Sequence, residues 1–485
     1  MAAVPSVNEP LTVRMPAGVY ARLSAHLFPG DNDEHGAVLE AGVSVTARGT
    51  RLLVRDVFPA RDGVDYVPGT RGHRALRAEF VRDRVIHARD QKLAYLAVHN
   101  HGGGGAAAFS PVDLTSHERG YPALLDIIRN QPVGALVFAH DAVAGDIWWP
   151  GGVRKEADSL VVVGQSIRRV FPGPSPRALA VDARYDRQAR MFGDAGQAIL
   201  AGLRIGIIGA GGVGMLLVEY LARLGVGEIV VVDPERVDVT NLPRLPGARR
   251  RDARVGFAGP RWPAAVRRWG MRRATPKVAL AERVASEAGA ATLVEAMMGD
   301  VRDPGVARRF VDCDYLFLAA DGDGARLVFN ALVHQYLIPG VQVGSKVHVD
   351  PGTGAVESVH SVARPVLPES GCLWCNGLIS PVRLAEESLS GGERRAQRYV
   401  DEPEIAAPSV ITLNATAASQ AANDFLFAVT GLARTDATSA YLRFKPMTRE
   451  VRFDQPRQDP SCPECGLSVR SRRARGDGVR LPTRA

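Results

Sequence analysis

Residues 203–244 read LRIGIIGAGGVGMLLVEYLARLGVGEIVVVDPERVDVTNLPR, and the fold turns on how they are read. The apolar run Leu203–Ile208 has the composition of a strand buried on both faces. It runs into Gly209, Gly211 and Gly214, spaced G-x-G-x-x-G, with Gly212 beside them. An apolar helical pattern follows, then a second strand from Ile229 to Val232 that ends at Asp233. The acidic residue falls about 20 positions after the last glycine, the layout of a βαβ nucleotide-binding unit. Glycines let the backbone turn tightly and approach a phosphate, and the helix N-terminus offers N–H donors. The spacing alone would also suit a turn that packs a helix onto a sheet. The strand on either side and the terminal Asp favour a nucleotide.

With 485 residues the chain is long enough for two or three domains. It is 46% hydrophobic and 23% charged, ordinary for a globular protein, and its formal charge is +8. The start, MAAVPSVNEPLTV, lacks a signal-peptide layout, and no apolar run is long enough to span a membrane. A cytoplasmic protein is expected, in which clustered cysteines point to metal rather than disulfides. The fold class expected is α/β, as two domains. Residues 1–165 form the first, 166–180 a proline-containing linker, 181–470 the second, and 471–485 a basic, disordered tail.

In the first domain short apolar runs alternate with helical patterns such as GVYARLSAHLF and FVRDRVIHARDQ. Its informative stretch is HNHGGGGAAAFSPVD, 99–113. His99 and His101 close a predicted strand on one face, and Ser110 and Asp113 open the next helix. Ser110-Pro111-Val112-Asp113 is by itself a good helix start, with Ser as cap and an acid at the third position. Glu34 stands before an earlier strand, in EHGAVLEAG.

Taken together and in order, these residues resemble the JAB/JAMM metalloproteases, which cleave peptide or isopeptide bonds after a ubiquitin-like C-terminus and have a cytidine-deaminase-like α/β fold. The resemblance implies His99, His101 and Asp113 as zinc ligands, with a fourth position left for water. It implies Glu34 as general base, with Glu40 the rival, and Ser110 as a holder of the oxyanion. The gap from His101 to Ser110 is one residue longer than is usual in that family. A domain that only binds a ubiquitin-like protein is the alternative.

In the second domain RYDRQ (184–188), the glycine loop, Asp233, NLPRL, a later lysine and DGDGAR (321–326) follow in the order seen in the ThiF/MoeB adenylating enzymes, relatives of ubiquitin-activating enzymes. That resemblance implies a Rossmann-like domain with a mixed sheet. It also implies ATP with Mg, and an acyl-adenylate formed on the C-terminal glycine of a ubiquitin-like or sulfur-carrier protein. Carried over, Asp233 would hold the ribose, Asn241, Arg244 and Lys277 the phosphates, and Asp321 the Mg, with Arg326 five residues on. Arg187 would reach a partner subunit, which implies a homodimer. A dehydrogenase would share the glycine loop and Asp233 but not NLPR or RYDRQ. A small-molecule adenylating or NAD-binding enzyme remains a further alternative.

Cys372, Cys375, Cys462 and Cys465 form two C-x-x-C pairs, expected to hold a structural zinc, with a redox pair as runner-up. Cys313 heads the apolar run DYLFLAA and reads as core. The segment from Asn376 to Pro408 resembles the crossover loop of thioester-forming relatives but has no cysteine. The adenylate is therefore expected to pass on directly, or to a cysteine on another protein such as a conjugating enzyme or sulfurtransferase. The arginine-rich insertion 249–275 reads as a specificity loop for an acidic protein surface; no nucleic-acid motif accompanies its charge.

Overall fold

The computed structural model describes residues 9–69, 74–175, 182–259, 261–289, 291–350, 352–389, 408–433 and 439–484. The chain forms two compact units. The first comprises 1–177 with 334–337 and 460–480; the second comprises 178–333, 338–459 and 481–485.

In the first unit the elements are β1 (Leu11–Pro16), α1 (Ala17–Leu27), β2 (Gly36–Thr46), β3 (Gly49–Pro59), α2 (Ala78–Gln91), β4 (Ala94–Asn100), α3 (Pro111–Ile128), β5 (Val133–Phe138), β6 (Val143–Trp149), β7 (Val153–Glu156), β8 (Ser159–Val163) and β9 (Ile167–Val170). The strands form one sheet in the order β7-β6-β5-β4-β2-β3-β1-β8-β9. β4 lies between β2 and β5, antiparallel to the first and parallel to the second. Both faces of β4 are covered, Tyr95 being buried on one and Leu96 and Val98 on the other. His99 and His101 sit where the strand runs out. Ser110 caps α3 through a reciprocal box with Asp113, and Pro111 opens the helix.

Two expectations are corrected here. Residues 167–170, assigned to the linker, form β9, antiparallel to β8, and Val170 is buried. Four residues with two exposed arginines carry too little apolar pattern to announce an edge strand. Residues 471–480, assigned to a disordered tail, are packed, with Ser471, Arg473, Ala474 and Arg475 buried. Arg55 donates to the carbonyls of Arg473 and Ser468 and to Ser471 Oγ. Arg475 donates to Gln91 and to the Val469 carbonyl. Burial, and then Arg475 beside it, pushes Arg55 down to about 10. Arginine stems and backbone carbonyls make this contact, so no apolar periodicity marks it.

The second unit contains α4 (Asp186–Gly202), β10 (Arg204–Ile208), α5 (Gly212–Leu224), β11 (Glu228–Val232), α6 (Val255–Ala258), α7 (Ala264–Arg272), α8 (Lys277–Glu287), β12 (Leu293–Met297), α9 (Pro304–Arg309), β13 (Tyr315–Leu318), α10 (Asp323–Tyr336), β14 (Gly340–Val349), β15 (Val356–Val366), α11 (Pro381–Ser388), α12 (Ile411–Thr430), β16 (Tyr441–Lys445) and β17 (Glu450–Asp454). Its sheet runs β12-β11-β10-β13-β14-β15-β16-β17. The first five strands are parallel and the last three antiparallel. This is the mixed Rossmann-like sheet expected. Chain order reverses across β10 and β13, and ligands of such sheets bind at the carboxyl ends of the strands there. Cys313 is core, its sulfur 3.1 Å from where a Cβ on Gly206 would stand. The expected crossover loop falls largely on 390–407, outside the described residues. Among the described residues no helix is long and apolar enough to cross a membrane.

α12 packs its alanine-rich face on α5, β14 and β15. It carries Asp424, which burial pushes up to about 6 although Gln420 Nε2 donates to it at 2.9 Å. The ordinary value is 3.8, so the fold holds this proton more tightly than the unfolded chain does. Stability from Asp424 is thus full at low pH and is lost as pH rises through about 6. Asp424→Asn, always neutral, should melt above the parent at pH 7, and the difference should shrink toward pH 4 in a calorimetric series. Equal melting temperatures across that range would refute the assignment.

Candidate functional site

The glycine turn between β10 and α5 is built from backbone. Gly209 has φ +99°, a conformation side chains resist, and its N–H bonds the Val232 carbonyl at 2.9 Å. A Cβ on Gly214 would stand 1.9 Å from the Gly209 oxygen, so the turn closes only with glycine there. A Cβ on Gly211 would meet nothing within 4 Å, so the open space of the loop lies on that side. At Gly212, a Cβ would stand 2.3 Å from Asn414 Nδ2.

Asp233 closes the loop from β11. Its Oδ2 accepts from Ala210 N and its Oδ1 from Glu235 N, both at 2.8 Å. Burial pushes its carboxyl above the ordinary value, against the pull of Lys277 and the two backbone donors. Lys277 opens α8, is itself buried, and pairs with the exposed Glu235. Asn241 ends a short 3-10 turn, where its Oδ1 accepts from Asp238 N at 3.1 Å. Arg244 is tied to the Thr240 carbonyl at 2.8 Å. The structure thus joins the glycine loop to Asp233 directly, with Lys277 near enough for its charge to act on that carboxyl, and its Arg244 carbonyl lies 3.4 Å from the Cβ position of Gly212.

Asp321 and Arg187 are exposed. Asp321 lies between β13 and α10, on the strand ends that carry the glycine loop. Arg187 belongs to RYDRQ, whose Gln188 donates to Gln197 Oε1 and to the Leu224 carbonyl. The ring of Tyr185 lies against Gly225, the left-handed C-cap of α5. Arg326 donates to Asp323 Oδ1 and to the Leu378 carbonyl. Asp323, buried, also holds Arg383, while Glu387 accepts from the N–H groups of Asp323 and Gly324. Sequence reasoning missed Glu235, Glu387 and Asn414. Only Asn414 left a trace, as a polar residue in an alanine-rich apolar pattern.

In the first unit the ring nitrogens converge. His99 Nε2 and His101 Nε2 are 3.2 Å apart, and Asp113 Oδ2 lies 3.6 and 3.5 Å from them. Bonds of about 2.0–2.1 Å to one tetrahedral zinc place donor atoms roughly 3.3 Å apart, so the set fits that ion. Glu34 Oε1 is 3.8 Å from His101 Nε2. Ser110 Oγ donates to Asp113 Oδ2 at 2.7 Å. Burial works against the Asp113 charge, but the hydrogen bonds of His99 and Ser110 prevail and hold its carboxyl well below the usual range. Ser110 and Asp113 cap the helix as read, and the cap turns the carboxylate toward the histidines. Glu40, the rival base, is buried mid-strand, where its Oε1 meets His87 Nδ1 at 2.5 Å.

The ThiF family matches residues 185–466, and the chain belongs to that family. The SAMP-activating enzyme E1 of Haloferax volcanii is 44% identical over 72 residues, 14% of this chain and 27% of that one. The adenylyltransferase and sulfurtransferase UBA4 of Yarrowia lipolytica is 43% identical over 63 residues, 13% and 16% of the two chains. The tRNA threonylcarbamoyladenosine dehydratase of Bacillus subtilis is 39% identical over 61 residues, 13% and 24%. The chain therefore spans between 16% and 27% of the length of these relatives. Among solved structures, E. coli MccB with succinimide has a TM-score of 0.44 at 16% identity, covering 59% of this chain and 75% of that one.

The matched segment contains both C-x-x-C pairs. One pair lies in each unit, and all four cysteines are free of disulfides. Cys375 N donates to Cys372 Sγ at 3.4 Å, and Gly466 N to the Cys462 carbonyl at 3.0 Å. Two C-x-x-C turns supply the four thiolates that a closed tetrahedral zinc site needs. Elemental analysis of the full chain should find zinc in two classes. His99→Ala with His101→Ala should remove one equivalent and leave the melting temperature nearly unchanged. Cys372→Ser should remove the other and lower melting sharply. Zinc content unchanged by the histidine pair would reject the first site.

Proposed function

We propose that the chain couples two reactions on one small protein. The second unit adenylates the C-terminal glycine of a ubiquitin-like or sulfur-carrier protein with Mg–ATP, and the first hydrolyses a peptide or isopeptide bond of that protein. The single observation behind the first half is the glycine loop closed by Asp233 within a chain of the ThiF family.

Adenylation brings two anions together, a terminal carboxylate and the α-phosphate, so its barrier falls mainly by charge neutralisation and positioning. Lys277 offers a point charge beside the loop, and Arg244 a planar fork. Asn241 is expected on the phosphates and Asp233 on the ribose, with Asp321 as ligand to Mg, a hard cation that prefers carboxylate oxygen. Arg187 completes a neighbouring copy's site in a homodimer. Glu235 holds Lys277 until the nucleotide arrives and takes its place.

For hydrolysis, His99, His101 and Asp113 would hold a zinc ion, which supplies Lewis acidity and a nucleophilic water. Glu34 takes the proton of the attacking water and returns it to the leaving amine. Ser110 orients Asp113 and stands ready to donate to the oxyanion. Its role as oxyanion donor needs its hydroxyl to turn from Asp113.

No cysteine remains for a thioester, since Cys313 is buried core and the other four make up the two C-x-x-C pairs. The adenylate therefore goes directly to an acceptor, or to a cysteine of a conjugating enzyme or sulfurtransferase. The insertion 249–275 suits an acidic carrier. Between 249 and 273 nine arginines stand against one acid, Asp252, and that acid is buried and taken by Arg283.

ATP–pyrophosphate exchange should depend on an added carrier ending in Gly-Gly, taken from the same genome. Asp321→Ala should lower it at least a hundredfold, about 2.7 kcal/mol of lost stabilisation. Exchange at the parent rate would remove Asp321 from the mechanism. Glu34→Gln should abolish cleavage of a carrier extended past Gly-Gly while zinc content stays the same; undiminished cleavage would refute Glu34 as base. A DTT-sensitive adduct between the chain and carrier would contradict direct transfer.

A further inference from the structure

Asn414 is the odd residue of α12. The helix presents Ala417, Ala418, Ala421 and Ala422 to the interior, yet one turn earlier it buries a carboxamide, 2% exposed. Burying an amide costs free energy unless its donors and acceptors are met. Here Oδ1 accepts from Ser345 Oγ of β14 at 2.7 Å, and Nδ2 donates to Ser409 Oγ at 3.1 Å. Pinned at both ends, the amide lies on the first residue of α5, with Nδ2 2.3 Å and Cγ 3.3 Å from the Cβ position of Gly212.

The glycines of the loop are thereby set apart by what surrounds them. Gly209 needs its positive φ, and Gly214 needs to clear the Gly209 carbonyl. Gly211 faces open space, where a nucleotide can lie. Gly212 faces protein, with Asn414 nearest and the Arg244 carbonyl beyond it. We infer that Asn414 is a positioning residue for the nucleotide: its amide sets the height of the first turn of α5, and with it the N–H groups presented to phosphate. The inference rests on the adenylation reading of this loop and deepens it. Asn414 touches neither substrate nor reacting atoms; it acts through Gly212.

The consequence is a coupling between two positions 202 residues apart in sequence. In Gly212→Ala the new methyl collides with the amide and should displace the turn. In Asn414→Ala the amide is gone and the turn is free to settle differently. Each single change should weaken Mg–ATP, Asn414→Ala by about fivefold, the worth of one lost hydrogen-bonded contact. Together they should bind within about twofold of Asn414→Ala alone, since the collision has been removed. Gly211→Ala, whose methyl projects into the ligand space, should not be rescued by Asn414→Ala.

The measurement is calorimetric titration of Mg–ATP into the full chain, with the melting temperature of each variant beside it. A double variant no better than Gly212→Ala overturns the inference. So does Asn414→Ala with parental ATP affinity and only a lower melting temperature, the outcome of a purely structural role. Should Asn414→Ala fail to fold, Asn414→Ser and Ser345→Ala stand in, and parental ATP affinity in both would equally reject it. A parent chain with no affinity for Mg–ATP would instead remove the adenylation reading itself.

Discussion

A backbone carbonyl and a missing Cβ govern the second unit. The Gly209 oxygen occupies the place where any side chain at 214 would begin. The β10–α5 turn can therefore be this tight only with glycine there. Asp233 then ties the turn to the end of β11 through Ala210 N, and Lys277 and Glu235 gather around that carboxylate. Everything assigned to the nucleotide depends on this closure, because phosphate recognition by backbone N–H groups requires them to converge before the ligand arrives. The cost is a buried carboxylate whose charge the burial opposes. Two hydrogen bonds and a nearby ammonium offset that cost, which is the usual condition for keeping such a charge inside.

The first unit solves a similar problem with side chains. A strand ends at His99 and His101, and a helix begins at Ser110. The capping box at that helix does two things with one carboxylate. It satisfies the first-turn N–H groups and turns Asp113 Oδ2 toward both imidazoles. Mounting these side chains on a strand and a helix, rather than on the loop between them, makes their geometry more precise. The glycine-rich stretch between them spans the gap without having to pack. Its extra residue leaves the three donor atoms at distances that one tetrahedral ion can share.

Much of the site was legible because its chemistry is local in sequence. The glycine spacing, the acid at the strand end, the His-x-His and the Ser-x-x-Asp each follow from a short stretch of chain and the element it belongs to. The C-x-x-C pairs were legible for the same reason: two thiols in one turn can share an ion, and two such turns can close around it. What escaped was contact between segments far apart. Asn414 meets Gly212, Glu387 meets the first N–H groups of α10, and Glu235 takes the ammonium of Lys277. None of these has a periodicity or spacing that would give it away. The tail from 471 to 480 escaped for a related reason. Its arginines read as solvated charge, yet their stems and guanidiniums are what bury it.

Read alone, the chain determined its class, two α/β units with a parallel nucleotide-binding sheet, because apolar alternation and glycine geometry act over a few residues at a time. It also determined which residue types could hold a phosphate or a zinc ion. Tertiary structure decided what each meets: Asn241 the Asp238 N–H, the capping carboxylate of Asp113 the rings of His99 and His101, and Gly212 the amide of Asn414. The physical reason is that burial and hydrogen-bond partners are set by whatever segment folds alongside, and a sequence read in order carries no record of that neighbour.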